Sequence, residues 1–248
     1  MSRQAVRVFV STLGILLVVV AGAAPAVAQA AKPSAPAAAP AVAPATPAAA
    51  AAQPAAPAGM PAVTLPEPRK SGGKPLLDVL AARHSTREYA TTELPPQVLS
   101  DLLWAAFGIN RPDGKRTAPS AMNWQEIDVY VATATGIYRY DAKANALVPV
   151  VSGDQRAATG MQPFVPVAPV NLVYVADNAR ATRANESDRQ LYEGADTAFI
   201  AENVYLFCAS EGLATVVRGS IDRAAMGKLL QLRPEQHVIL AQTVGYPK

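Results

Sequence analysis

The sequence is poor in the residues that build covalent and metal-bound frameworks. It contains one cysteine, Cys208, and two histidines, His84 and His237, among 248 residues. A single thiol excludes an intramolecular disulfide framework and any metal cluster held by cysteines. Two histidines argue against a multi-histidine metal site, so no metal is expected.

The chain also has little net charge. Its formal charge is +3, and Arg3 and Arg7 near the N-terminus supply two of these charges. The nearly neutral remainder has no field strong enough to attract nucleic acid or an anionic surface nonspecifically. Nucleic acid is therefore not expected as a partner.

Residues 1–30 have the pattern of a secretory signal. The basic residues Arg3 and Arg7 precede an apolar run from Val8 to Ala24, and small residues such as Ala26-Val27-Ala28 follow it. The run is close to the length that spans a bilayer, so an uncleaved membrane anchor is the alternative. The small residues favour cleavage, which predicts an exported protein, periplasmic or secreted.

Residues 31–68 consist almost entirely of alanine and proline. Proline removes hydrogen-bond donors and holds the backbone extended, so this segment is predicted to be a semi-rigid linker. No chemistry is expected in it.

Residues 69–248 show the periodic patterns of one folded domain. The helix predicted at residues 191–212 is apolar on nearly all sides, which indicates burial in a core or a subunit interface. Its Cys208 is interpreted as an inert packing thiol. The predicted helices are Pro75–Ala82, Pro95–Gly108, Leu191–Gly212 and Asp222–Leu230, and the longer predicted strands are Ile127–Ala132, Ile137–Tyr140, Ala146–Val151, Val170–Ala176 and Val238–Val244.

A polar segment, Arg83–Tyr89, follows the first predicted helix. Arg83 and Arg87 offer planar forks of donors that suit phosphate, and Ser85 and Thr86 add hydroxyl donors. The segment could therefore bind one phosphate-sized anion. It could also be a solvated helix end, because basic residues at that position complement the helix dipole.

Two further segments suit a ligand. Pro119–Gln125 places small residues and an amide before a strand, which fits a loop around a polar ligand, although Ser120 could also cap a helix. Gly219 ends a short predicted strand that begins after Gly212. A glycine there would let the backbone approach a flat ligand closely, or would only form a tight turn.

Together these segments resemble the nitroreductase family of flavoproteins over roughly residues 70–248. Residues 83–87 are similar to the family's Arg-x-Ser-x-Arg phosphate clamp. Residues 119–123 are similar to its Pro-Ser-x-x-Asn loop, which reaches the flavin from the partner subunit. Residues 212–219 match its Gly-Leu-x-Thr segment along the flavin ring. The pattern is most similar to the SagB-like dehydrogenase branch, whose relatives oxidise azoline rings.

The resemblance implies an α+β fold in which a mostly antiparallel sheet is flanked by helices. It also implies a homodimer with FMN at the interface and helix 191–212 buried there. Arg83 and Arg87 would hold the phosphate, and Lys248 would replace a basic residue that relatives carry further on. The implied FMN-binding residues are Arg83, His84, Ser85, Arg87, Pro119, Ser120, Ala121, Asn123, Val217, Arg218, Gly219 and Lys248.

Arg218 departs from the family pattern, since many relatives have an acidic or apolar residue there. Its cation could stabilise reduced flavin, or its side chain could point to solvent. The resemblance implies a ping-pong cycle between a reduced donor and a nitro, quinone or azoline-like substrate. No catalytic acid or base is demanded, and Asp196 is the only weak candidate. An exported flavin carrier or sensor without turnover is the alternative, and an anchored structural module is a third.

Overall fold

The domain is built on an antiparallel β-sheet in the computed structural model, which describes residue 57 and residues 59–248. Its strands are β1 (Val63–Thr64), β2 (Ile127–Thr133), β3 (Gly136–Asp141), β4 (Ala146–Ser152), β5 (Val170–Asp177), β6 (Ala214–Arg218) and β7 (Gln236–Gly245). They follow the order β1-β4-β3-β2-β5-β7-β6, and each neighbouring pair is antiparallel. The predicted signal segment 1–30 lies outside the described residues.

Four α-helices flank this sheet within the same part of the chain: α1 (Leu76–Ala82), α2 (Pro96–Phe107), α3 (Glu186–Glu211) and α4 (Arg223–Leu229). Side chains of α2 and α3 form the main core with one sheet face, and side chains of α4 form a second core with the other. None of the described helices has the length and hydrophobicity needed to cross a membrane. The α+β fold class predicted from the sequence is confirmed.

The central strand and the hairpin were predicted correctly. Strand β5 is buried along its whole length, as its uninterrupted apolar sequence indicates. Strands β3 and β4 pair from Gly136↔Ser152 to Asp141↔Ala146, around the predicted turn.

Helix α3 begins at Glu186, earlier than the predicted start at residue 191. Asn185 accepts a hydrogen bond from the Asp188 N–H at 2.9 Å, which caps the first turn. Gly212 ends the helix with φ of 73°, a conformation that glycine adopts without steric cost. Burial is restricted to one face, whereas Phe199 on another face is 46% exposed. Within one chain only that face lies in the core, and burial of the remaining apolar side chains in a subunit interface stays a prediction.

The boundary predicted at residue 69 is too late. Val63 and Thr64 pair with β4 opposite Leu147 and Ala146, inside the segment interpreted as linker. Leu65 is buried, and the carbonyl of Pro66 accepts a hydrogen bond from Ser100 Oγ. The alanine and proline around these residues concealed a short edge strand in the sequence.

Candidate functional site

Tyr205 on α3 connects two of the three segments singled out in the sequence. Its hydroxyl accepts a hydrogen bond from the backbone N–H of Val217 at 3.0 Å and lies 2.8 Å from Ser85 Oγ. Because the Val217 bond leaves the phenolic hydrogen free, Tyr205 can donate to Ser85. The polar segment after α1 and the end of β6 are thereby fixed to one point on α3.

Backbone hydrogen bonds reinforce this junction. The N–H of Thr86 donates to the carbonyl of Thr215 in β6 at 2.9 Å. Tyr89 forms an antiparallel bridge with Pro247, which follows β7. Lys248 is the next residue along the chain, so it lies beside the C-terminal end of the polar segment.

The cations at this junction are not neutralised by the protein. Within residues 59–248, no carboxylate forms an ion pair with Arg83, Arg87 or Lys248. Arg83 is half-buried, with its guanidinium carbon 5.3 Å from the centroid of the Tyr205 ring, and Arg87 is exposed. Cations that are grouped by the fold and lack an acidic partner are suited to an anionic ligand.

His84 is held by its own backbone neighbourhood. Its Nδ1 lies 2.7 Å from the carbonyl of Ala82. A carbonyl oxygen can only accept, so Nδ1 carries a hydrogen and donates. In the neutral ring Nε2 is then an acceptor, which suits a ligand hydroxyl better than a phosphate oxygen.

Gly219, just after β6, leaves open space beside the backbone. A Cβ placed there would meet only Leu240 Cδ2 at 3.9 Å, an ordinary contact. Its φ also lies outside the left-handed region, so neither backbone conformation nor internal packing requires glycine. The open strand end therefore fits a flat ligand that lies against the backbone of Val217 and Gly219.

The side chain of Arg218 points away from this opening. It is buried and donates to Thr243 Oγ1 at 2.8 Å, to the Thr159 carbonyl at 3.0 Å and to Asn171 Oδ1 at 3.0 Å. Burial lowers the pKa of Arg218 to about 10. The alternative that its side chain points to solvent is wrong, and only its backbone is available to a ligand at the strand end.

The loop Pro119–Gln125 adopts a strained conformation beside the other half of α3. Met122, Asn123 and Gln125 have φ of 50°, 56° and 49°, which side chains other than glycine rarely adopt. Asp196 on α3 accepts a hydrogen bond from the Ala121 N–H at 2.8 Å. Ser120 does not cap the short 3₁₀ helix that follows, because its hydroxyl accepts from the Gln125 N–H at 2.8 Å instead.

This loop and the Tyr205 junction do not meet within one protomer. Asp196 and Tyr205 are separated by about two and a half turns of α3, which corresponds to a rise of about 13 Å. They also project from opposite edges of its buried face. Of the predicted site residues, the structure brings together those of the polar segment, the end of β6 and Lys248. Pro119, Ser120, Ala121 and Asn123 lie elsewhere.

Sequence interpretation missed Tyr205 and Glu126. Tyr205 was counted among the apolar residues of α3, although its hydroxyl makes the connecting hydrogen bonds. Glu126 is buried, and its Oε2 accepts from Ser120 Oγ at 3.2 Å. The one available signal was a charged residue directly before the predicted strand Ile127–Ala132.

Comparison with known proteins identifies the family to which the domain is similar. Residues 80–246 match the sequence model of the Nitroreductase family. The Methanocaldococcus jannaschii protein MJ1384, assigned to the nitroreductases, is 30% identical over 180 residues, which cover 68% of this chain and 90% of that protein.

Solved structures show the same relationship. A nitroreductase homologue from Ralstonia eutropha JMP134 is 41% identical with a TM-score of 0.73, covering 82% of this chain and 98% of that one. The NADPH:FMN oxidoreductase of Vibrio harveyi shares the fold, with a TM-score of 0.54 and 20% identity over 70% of this chain and 69% of its own. The chain therefore belongs to the nitroreductase family, whose chemistry is flavin-dependent oxidoreduction.

Proposed function

We propose that this protein binds FMN and catalyses electron transfer between a reduced donor and an organic nitro, quinone or azoline-like substrate. The observation that carries the proposal is the Tyr205 junction. It brings the unpaired Arg83 and the backbone of Val217 to one point on α3. Phosphate and ring sites of a nucleotide-like flavin would then be adjacent.

The residues present fit such a cofactor. Arg83, Arg87 and Lys248 would hold the phosphate, and His84 Nε2 and Ser85 Oγ would contact ribityl hydroxyls. The backbone of Val217, Arg218 and Gly219 would lie along the ring, in the space that the glycine leaves open. Bound FMN would supply the two-electron redox chemistry, while these groups bind and orient it.

A homodimer would complete the site. Two helices expose apolar side chains that a partner could cover, Leu76, Leu77 and Leu80 on α1 and Leu191 and Phe199 on α3. A second α3 packed on this surface would bring the partner's loop to the Tyr205 junction. Pro119, Ser120, Ala121 and Asn123 would then contact the FMN of the other protomer.

Donor and substrate would occupy the same open site in turn, which is a ping-pong order. The Vibrio harveyi relative is an NADPH:FMN oxidoreductase. If residues 1–30 direct export, as their sequence predicts, a donor other than a cytoplasmic nicotinamide is required. We therefore expect donor specificity to differ from that of the Vibrio harveyi relative.

Cofactor content tests the proposal directly. The purified protein should release FMN on denaturation, and stripped protein should take up added FMN at about one per chain, the value expected of a symmetric dimer. Reduction of the bound FMN by a panel of donors, followed by addition of quinone or nitro substrates, separates an enzyme from a carrier. Failure to bind flavin would reject both.

A further inference from the structure

The strained loop Pro119–Gln125 rests on two buried carboxyl groups. Glu126, directly after the loop, is 1% exposed, and Asp196 on α3 is 2% exposed. Glu126 Oε2 accepts from Ser120 Oγ, and Asp196 Oδ2 accepts from the Ala121 N–H. The two carboxyl groups therefore hold two consecutive residues of the loop, one residue each.

The two carboxyl groups also lie close together, because the residues that they bond to, Ser120 and Ala121, are adjacent in the chain. Glu126 Oε1 is fully buried and has no donor among the residues that the structure describes. Two ionised carboxylates are acceptors only, so they cannot form a hydrogen bond. One proton placed between them provides the missing donor and removes the repulsion.

The described part of the chain offers these two carboxyl groups no ion pair in place of that proton. Within residues 59–248, neither Glu126 nor Asp196 forms an ion pair with lysine, arginine or histidine. The nearby Arg180 donates to the Gln125 carbonyl, and its charge is paired with Asp128 and Asp177.

The remaining charged groups around the pair are also engaged. One turn before Asp196 on α3, Glu193 bonds to His237 of β7 at 2.6 Å. The pair is thus enclosed by residues of α3, by the start of β2 and by the segment that carries Arg180, and none supplies a free positive charge.

We propose that Glu126 and Asp196 share one proton, and that this proton holds the loop Pro119–Gln125 in its strained conformation. Without it, two buried carboxylates repel each other beneath the loop. The unfavourable φ angles of Met122, Asn123 and Gln125 are then no longer offset, and the loop relaxes. Glu126 and Asp196 are therefore positioning residues for the loop.

Burial raises the pKa of Glu126 to about 7, and the neighbouring Asp196 carboxylate adds to this effect. A carboxyl group whose pKa is raised in the folded loop stabilises that loop fully below its ordinary pKa. This stabilisation is lost as the pH rises and is gone above about pH 7. The loop should therefore be held at pH 6 and released at pH 8.

If the proposed function is correct, the loop contacts FMN bound by the partner subunit, and FMN affinity depends on the same proton. One proton bound with a pKa near 7 changes an equilibrium roughly tenfold between pH 6 and pH 8. We expect FMN to bind about tenfold more weakly at pH 8 than at pH 6.

Trp124 gives a readout that does not need the cofactor. It lies within the loop, with its ring 5.8 Å from that of Tyr192 in an edge-to-face contact. The chain has two tryptophans, so Trp104→Phe leaves Trp124 as the only one. Its fluorescence in stripped protein should follow a one-proton transition near pH 7.

Three variants in this background decide the matter. Glu126→Gln supplies a permanent amide donor in place of the proton, so the transition should disappear and FMN affinity should become constant from pH 6 to 8. Asp196→Asn should also abolish the transition. Glu235→Gln changes an exposed glutamate in the same way and should leave the transition in place.

Each result has a defined meaning. Two results would reject the shared proton. One is Trp124 fluorescence that does not change with pH when Glu126 and Asp196 are both present, and the other is an unchanged transition in Glu126→Gln. A normal Trp124 transition in a protein that never binds flavin would uphold the shared proton and reject the proposed function. If FMN affinity were constant from pH 6 to 8 while the Trp124 transition was normal, the proton would hold the loop but the loop would not contribute to FMN binding.

Discussion

The two halves of α3 support opposite kinds of chemistry. Near its C-terminal half, Tyr205 joins a strand end to a cluster of arginines that have no acidic partner among the described residues. Near its N-terminal half, buried carboxyl groups hold a strained loop. The C-terminal half leaves cations and backbone groups available to a ligand. The polar groups at the N-terminal half are hydrogen-bonded within the protein.

This difference is the reason for proposing that two copies of the chain form each site. The Tyr205 junction is proposed to bind an anion and a flat ring, and the loop Pro119–Gln125 of the same protomer lies elsewhere among the described residues. The loop is held by its own protomer, in which Arg116 and Arg180 donate hydrogen bonds to Gln125 and are thereby engaged. Such halves are complementary when a second copy places the loop of one over the junction of the other.

Breaking the proposed contact between the loop of one protomer and the Tyr205 junction of the other should have the largest effect. Phe199→Asp places a charge on the exposed apolar surface of α3, and burying that charge in a dimer is costly. We expect monomeric protein and FMN affinity lowered by about a hundredfold or more. Light scattering and flavin content measure both effects.

Val63→Asp is the matched control, because Val63 is 39% exposed and lies on β1, at the opposite edge of the sheet from β6. It should remain dimeric and retain FMN. If Phe199→Asp remained dimeric with full flavin content, the loop of one protomer would reach the Tyr205 junction of the other through a different surface.

The second prediction distinguishes the role of the Arg218 side chain in stability from the role of its backbone in binding, at the end of β6. Arg218→Ala removes one donor each from Thr243, Thr159 and Asn171, although Asn171 Oδ1 still accepts from Thr243 Oγ1, and it creates a cavity against Gly160. The free energy of unfolding should fall by about 2–4 kcal/mol. Because only the backbone faces the ligand, FMN affinity of the folded variant should change much less. Denaturant unfolding and FMN titration measure these two quantities.

Arg156→Ala serves as the control for Arg218. Arg156 pairs with the exposed Asp154 and donates one bond to the Ala168 carbonyl, so its loss should cost about 1 kcal/mol or less. If Arg218→Ala abolished flavin binding while stability was unchanged, its guanidinium would act on the cofactor.

A third change tests the unpaired cations. Arg87→Ala removes a charged donor from the predicted phosphate site, and a charge-assisted hydrogen bond contributes about 1.5–3 kcal/mol. Because Arg87 is exposed, we expect the low end of this range, so FMN affinity should fall about tenfold with little change in stability. Lys143→Ala removes the same charge from the exposed β3–β4 turn and should have no effect on a titration with FMN. Equal FMN affinities in the two variants would show that the polar segment is a solvated helix end and not a phosphate site.

The sequence predicted local structure better than it predicted proximity. Apolar runs such as Val170–Ala176 and periodic apolar positions predicted the sheet and the helices, because burial selects apolar side chains. The edge strand Val63–Thr64 was hidden because two residues are too few to show a period. Motif chemistry identified Arg83, Arg87 and Gly219, but nothing in their spacing showed which α3 residue would join them.

Tyr205 supplies that connection through a single atom, which makes it the finest test. Tyr205→Phe keeps the ring beneath Arg83 but leaves the Val217 N–H without its acceptor, at a cost of about 1 kcal/mol. We expect a small loss of stability and FMN affinity lowered several-fold, because strand end and polar segment would no longer be fixed together. Tyr130→Phe, which alters a tyrosine in the second core, should lower stability at most and leave FMN affinity unchanged. If FMN affinity were the same in both variants, the arginines and the strand end would be positioned by the Thr86–Thr215 backbone bond alone.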